Sequence, residues 1–134
     1  MDSLSCCIVG YGGIAEFHAG TCKQIEGVRL HTLMGRRLAP AKEFATRHGF
    51  ERATDSLQEA LADDELDAVI IASPSQVHYE QTMACLEAGK HVLVEIPLAL
   101  SLAGSQRIAE KAAEVGRNVM VAHTERFTDT GLFV

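Results

Sequence analysis

The residues best suited to chemistry lie near the start of the chain, in Cys6-Cys7-Ile8-Val9-Gly10-Tyr11-Gly12-Gly13-Ile14-Ala15. An apolar run leads into G-x-G-x-x-A, and helical spacing follows. In such a turn Gly10 permits the tight reversal and Gly12 lets the main chain approach a pyrophosphate. Ala15 lets the helix pack closely on the strand. Tyr11, Gly13 and Ile14 surround a helix start whose free N–H groups carry partial positive charge toward phosphates. The spacing therefore predicts a dinucleotide site; a glycine turn without a ligand is the alternative. A Walker-type phosphate loop is excluded, because no Gly-Lys-Ser/Thr follows.

A second group bears on which dinucleotide. An NAD site usually places an acid about 20 residues on, at the end of the second strand, to accept from the ribose 2′-OH. This chain reads Leu33-Met34-Gly35-Arg36-Arg37 there. An acid would repel a 2′-phosphate, whereas Arg36 or Arg37 would clamp it. NADP is the expected cofactor and NAD the second choice; a solvated basic turn is the other reading of the two arginines.

Further along, Ser73 and Pro74 close an apolar run, at the edge where open α/β sheets bind ligands. Glu95 closes the next run, where a carboxylate would reach a nicotinamide ribose. Unpartnered burial of that carboxylate would be costly. His18 sits beyond the glycine turn and reads as a satisfied helix histidine. His123 and Arg126 follow the last apolar run, where either could approach a nicotinamide or a carboxylated substrate; a place without chemistry is the alternative for each. His31, His48 and His91 belong to no constellation. No nucleophile–base–orienter set is present, and no metal site is expected from the His and Cys spacing.

These positions need elements to hold them. Apolar runs recur at 6–9, 28–34, 68–72, 91–95 and 119–122, with a weaker one near 50–53. Runs without a polar face are how strands buried on both sides of a parallel sheet read. Helical spacing fills 14–25, 40–48, 56–61, 75–88 and 102–115, with Ser56 and Glu59 set as a capping box. Alternation of this kind predicts a doubly wound parallel sheet of about six strands, a Rossmann fold. One domain over residues 1–134 is expected, since domains cluster around roughly 100–150 residues.

Twelve basic against eighteen acidic residues give a net charge of −6, which argues against a general nucleic-acid binder. Cys6, Cys7, Cys22 and Cys85 form no CxxC pair and read as reduced core residues. Met1 to Ser5 holds an acid and no basic stretch, so no signal peptide is expected. The apolar runs fall far short of the roughly 20 residues that span a bilayer. A cytoplasmic protein without membrane partners is expected, and a homo-oligomer is left open.

The chain resembles the Gfo/Idh/MocA oxidoreductases. The landmarks are Gly10-Tyr11-Gly12-Gly13-Ile14-Ala15 with His18, Ala72-Ser73-Pro74-Ser75-Gln76-Val77-His78, Glu87-Ala88-Gly89-Lys90-His91-Val92 and Glu95-Ile96-Pro97-Leu98-Ala99. The resemblance implies a dehydrogenase and makes Ser73, Pro74 and His78 contacts along the cofactor ribose. For Pro74 the alternative is a plain turn, and for His78 an exposed place on a first helical turn. Glu95-Ile96-Pro97 and His123-Thr124-Glu125-Arg126-Phe127 are similar to semialdehyde dehydrogenases of aromatic ring cleavage, which implies NADP and a carboxylated cyclic hemiacetal. Two departures stand out. Most of the family has lysine where this chain has Ile96, and isoleucine neither donates nor accepts a proton. The family also carries a C-terminal α/β domain that supplies the substrate pocket, whereas this chain ends at Val134. Little or no turnover is therefore expected of these residues alone, and a stand-alone nucleotide-binding or redox-sensing module is the alternative.

Overall fold

The computed structural model describes residues 3–123. Six strands run in chain order as β1 (Leu4–Val9), β2 (Val28–Met34), β3 (Arg52–Thr54), β4 (Ala68–Ile71), β5 (His91–Glu95) and β6 (Val119–Ala122). The helices between them are α1 (Gly13–Lys23), α2 (Leu38–His48), α3 (Leu57–Leu61), α4 (His78–Glu87) and α5 (Leu102–Val115). All strand pairs are parallel, in the order β3-β2-β1-β4-β5-β6. This is the doubly wound Rossmann sheet, with its switch point between β1 and β4.

Why the runs lack a polar face is visible in β1. Cys7 and Val9 point into one cluster with Cys85, Leu86 and Ile108 from α4 and α5. Ile8 points the other way, into a cluster with Ala15, Ala19, Ala41 and Phe44 from α1 and α2. Alternate residues face opposite layers and both layers are apolar, so the period of two leaves no hydrophilic trace. Ala15 and Ala19 are fully buried, and these small side chains let α1 lie close on the sheet.

Val9 is paired with Met34 on one side and Ile71 on the other, so β1, β2 and β4 end level. Their last residues form the floor on which the site is built. α2 and α5 stop at Gly49 and Gly116, both left-handed, as expected.

Two local expectations need correction. The third strand is Arg52–Thr54 rather than 50–53, because Phe50 turns inward against Phe44 (ring centroids 6.1 Å apart) before pairing begins. The capping box at α3 is only half made. Ser56 Oγ accepts from the Glu59 N–H (3.1 Å), but Thr54 Oγ1 takes the return bond from the Ser56 N–H (3.0 Å).

All four cysteines are free and buried. Burial pushes the Cys6 and Cys85 thiols up to about 12 and raises Cys7 and Cys22 as well, so none is a nucleophile at neutral pH. Among the described residues no helix is long and apolar enough to cross a membrane.

Candidate functional site

A groove of about 650 Å³ opens over the level ends of β1, β2 and β4. Gly10, Tyr11 and Gly12 line it from the first turn, Met34, Gly35, Arg36 and Arg37 from the second strand end. Ala72, Ser73, Pro74, Gln76, Val77 and Gln81 close the third side. Seven of the eleven expected cofactor residues thus share one cavity: Gly10, Tyr11, Gly12, Arg36, Arg37, Ser73 and Pro74. Gly13, Ile14, His78 and Glu95 do not line it.

The glycines of the turn are there for different reasons. Gly10 has φ +122°, and a Cβ on it would lie 2.6 Å from the Ala72 carbonyl oxygen. Conformation and space both forbid a side chain, so the fold itself demands glycine. Gly12 is extended (φ −91°, ψ −168°), and a Cβ there would meet no protein atom within 4 Å. Among the described residues none crowds a side chain at position 12; what a side chain would obstruct is the groove. Gly12 is the N-cap residue of α1 and offers no side-chain cap, so the first turn leaves its N–H groups to whatever occupies the cavity.

Arg36 and Arg37 are exposed, and Arg37 is the N-cap residue of α2, again without a side-chain cap. Neither makes an ion pair among the described residues. Two unpaired guanidiniums and an uncapped helix start therefore face one end of the groove, which suits a doubly charged phosphate.

The β4–β5 side is built differently. The exposed alternative for His78 is overturned, for the side chain is buried at 1% exposure. Its Nε2 lies 2.7 Å from the Ser73 carbonyl oxygen and its Nδ1 2.8 Å from that of Pro97. A neutral imidazole donates to one carbonyl at a time, the imidazolium to both. Both nitrogens are directed at carbonyls, so the ring keeps neither for a ligand, and as the imidazolium it ties the loop after β4 to the loop after β5. The Ser73 hydroxyl donates to the Gln81 side-chain oxygen, one helical turn into α4. Sequence reasoning singled out neither Gln76 nor Gln81. Their placement on the groove side of the Ser75–Val77 turn and α4 was the available signal.

Glu95 has a partner. Its Oε1 lies 2.5 Å from His18 Nε2, with side chains 15% and 9% exposed, so the carboxylate at the end of β5 is held from α1. Ile96, beside it, is 54% exposed. His123 is exposed at the end of β6, while Arg126 lies outside the described residues.

At the opposite edge of the sheet His31 is not solitary. Its Nε2 is 3.4 Å from Asp63 and 3.6 Å from Glu65, the one trio among the described residues close enough to share a cation. Arg52 (3.2 Å) and Arg29 (3.5 Å) already engage those carboxylates, which makes the group an ion-pair cluster. The Glu65 N–H, 2.9 Å away, is the main reason the Asp63 carboxyl stays below its ordinary value. His91 accepts from the Asn118 N–H (3.0 Å) and His48 packs on Phe44, so neither enters a site.

The sequence profile described as "Oxidoreductase family, NAD-binding Rossmann fold" matches residues 4–123. The chain belongs to the Gfo/Idh/MocA oxidoreductase family. Among curated relatives, 4-carboxy-2-hydroxymuconate-6-semialdehyde dehydrogenase from a Sphingobium strain is 41% identical over 95% of this chain and 40% of its own length. Among solved structures, an NAD-binding oxidoreductase from Klebsiella pneumoniae superposes with a TM-score of 0.92 at 30% identity, over 98% of this chain and 37% of its own. Biliverdin reductase from Synechocystis, solved with biliverdin and NADP+, gives 0.86 at 34% identity, over 92% and 39%. The chain thus spans less than half of each of these proteins. The residues matched are the NAD-binding Rossmann part of that oxidoreductase family.

Proposed function

We propose that residues 1–134 form the NADP-binding domain of a dehydrogenase that removes hydride from a hydroxy or hemiacetal carbon. The observation that carries dinucleotide binding is Gly12. No atom of the described residues would meet a Cβ there, yet it borders the groove at an uncapped helix start. The residues present fit the cofactor. The pyrophosphate would lie on the α1 N-terminus between Gly10 and Gly13, and the adenosine 2′-phosphate at Arg36 and Arg37. Ser73 and Pro74 would border the ribose side.

When bound, NADP supplies a nicotinamide ring able to accept a hydride. The chain's own part is to hold that ring near the ends of β4 and β5. Glu95, fixed by His18 through one oxygen, keeps the other for a ribose hydroxyl. Ile96 cannot take the substrate proton, so proton removal falls to another residue. The Sphingobium relative's name supports a carboxylated semialdehyde, in its cyclic form, as the substrate class. The second domain of the family would supply most substrate contacts, so these residues alone should show little turnover, in a cytoplasmic setting.

Calorimetric titration with NADP and NAD tests the binding. NADP should bind the tighter, and binding of neither would overturn the reading. An assay of this chain and of a longer one, on the lactol with NADP, tests the rest; full activity from the short chain would remove the need for a second domain. One observation favours a second reading, a nucleotide-binding or sensing module without catalysis: the residue where most of the family has lysine is an exposed isoleucine. Binding without turnover in the longer chain would select it.

A further inference from the structure

Two exposed arginines, Arg36 and Arg37, line the groove where selectivity for a 2′-phosphate would arise. A third element lies beneath them. Gly35 directly follows β2, where an NAD site usually places its acid, and it is buried. Its N–H donates to the Thr54 carbonyl oxygen at 3.0 Å, which pins the main chain toward β3. A Cβ built there would fall within 3.0 Å of two carbons of the Tyr11 ring and 3.3 Å from the Ala41 Cβ. Position 35 is therefore enclosed on three sides, by Thr54, Ala41 and Tyr11.

Its φ is not left-handed, so backbone conformation does not call for glycine here. Space does. Ala41 is fully buried on α2 and Thr54 belongs to the sheet, so neither can withdraw without disturbing the core. The Tyr11 ring borders the groove and is the part that could swing away.

We propose that Tyr11 is a specificity-determining residue. Its ring occupies the volume through which a side chain at position 35 would reach an adenosine ribose. No acid can then take hold of the 2′-OH in the manner of an NAD site, and the 2′ position is left to Arg36 and Arg37. Discrimination against NAD thus comes from a filled space as well as from charge. This rests on the NADP reading above and adds a residue to it. It implies that positions 11 and 35 are energetically coupled although they lie 24 residues apart in sequence.

The test is a four-cornered cycle of this chain, Gly35→Asp, Tyr11→Ala and the double variant, titrated with NAD and NADP. Gly35→Asp alone should not tighten NAD, because ring and carboxylate compete for one space. The double variant should bind NAD about tenfold more tightly than the sum of the single changes predicts, a size expected for groups in direct contact. Additive effects, or tight NAD binding by Gly35→Asp alone, would overturn the proposal while leaving dinucleotide binding intact. Binding of neither nucleotide by the unaltered chain would overturn both. Thermal unfolding supplies a readout that needs no ligand. Gly35→Ala should lower Tm by roughly 5 °C with Tyr11 present. It should lower Tm far less in the Tyr11→Ala background, and equal losses in both would again refute the coupling.

Discussion

The two sides of the switch point are built by opposite means. Toward β1 and β2 the groove is bordered by glycines, of which Gly12 leaves it open, and the polar groups there, Arg36 and Arg37, make no ion pair among the described residues. Toward β4 and β5 the polar groups are closed on one another: His78 on two carbonyls, Ser73 on Gln81, Glu95 on His18. The first side is open before a ligand arrives. The second is already tied, and a ligand there shares partners rather than finding free ones. A protein–protein hydrogen bond contributes about 1 kcal/mol net, but stranding a buried partner costs about 1–3 kcal/mol. Substitutions on the tied side should therefore cost stability first, and those on the open side affinity first, with Gly10 as the informative exception.

That exception should give the largest effect. Gly10→Ala combines a positive φ with a 2.6 Å approach to the Ala72 carbonyl and should cost about 3 kcal/mol. On thermal unfolding this is roughly 10 °C, and binding should fall with it. Gly12→Ala sharpens the contrast: stability should hold within about 0.5 kcal/mol, while calorimetry should show NADP affinity reduced at least severalfold. A loss of stability at Gly12 as large as at Gly10 would erase the distinction between the two glycines.

Next comes His78→Ala, which empties a buried site between two carbonyls, for about 2 kcal/mol by chemical denaturation. Weaker NADP binding at unchanged stability would place His78 on the ligand side instead. Arg36→Ala and Arg37→Ala should each weaken NADP by about tenfold, the scale of one charged hydrogen bond, with NAD unmoved and Tm unchanged. Equal losses for both nucleotides would remove the 2′-phosphate from the account. The smallest effect concerns the cysteines. With thiols raised by burial, a thiol reagent at pH 8 should label the native protein slowly and all four cysteines once unfolded.

What could be read from sequence follows the same division. Strands and helices were legible because burial on both faces leaves unbroken runs of Val, Ile and Leu, and the glycine turn because its spacing is local. Arg36 and Arg37 were legible for the same reason, as neighbours at the end of a recognisable strand. The tied side was not. His18 meets Glu95 across 77 residues and His78 meets Pro97 across 19, and no local pattern encodes which loops a parallel sheet brings level. His31 shows the same blindness, since its carboxylate partners lie more than thirty residues on. Gly35 reads in sequence as a missing acid; that the Tyr11 ring fills its place depends on a contact across 24 residues.

The histidine between the Ser73 and Pro97 carbonyls has a kinetic meaning as well. Two loops leaving different strands, both packed on one buried ring, cannot fray separately, because opening either one uncovers the shared ring. The strand ends of β4 and β5 then behave as one cooperative unit, with a single opening free energy above that of the exposed arginine turn. Amide protons around positions 73 and 97 should exchange at matched rates, slower than those at 36 and 37. The molecule would then breathe at the end that takes the phosphate and hold still at the end where the nicotinamide would sit.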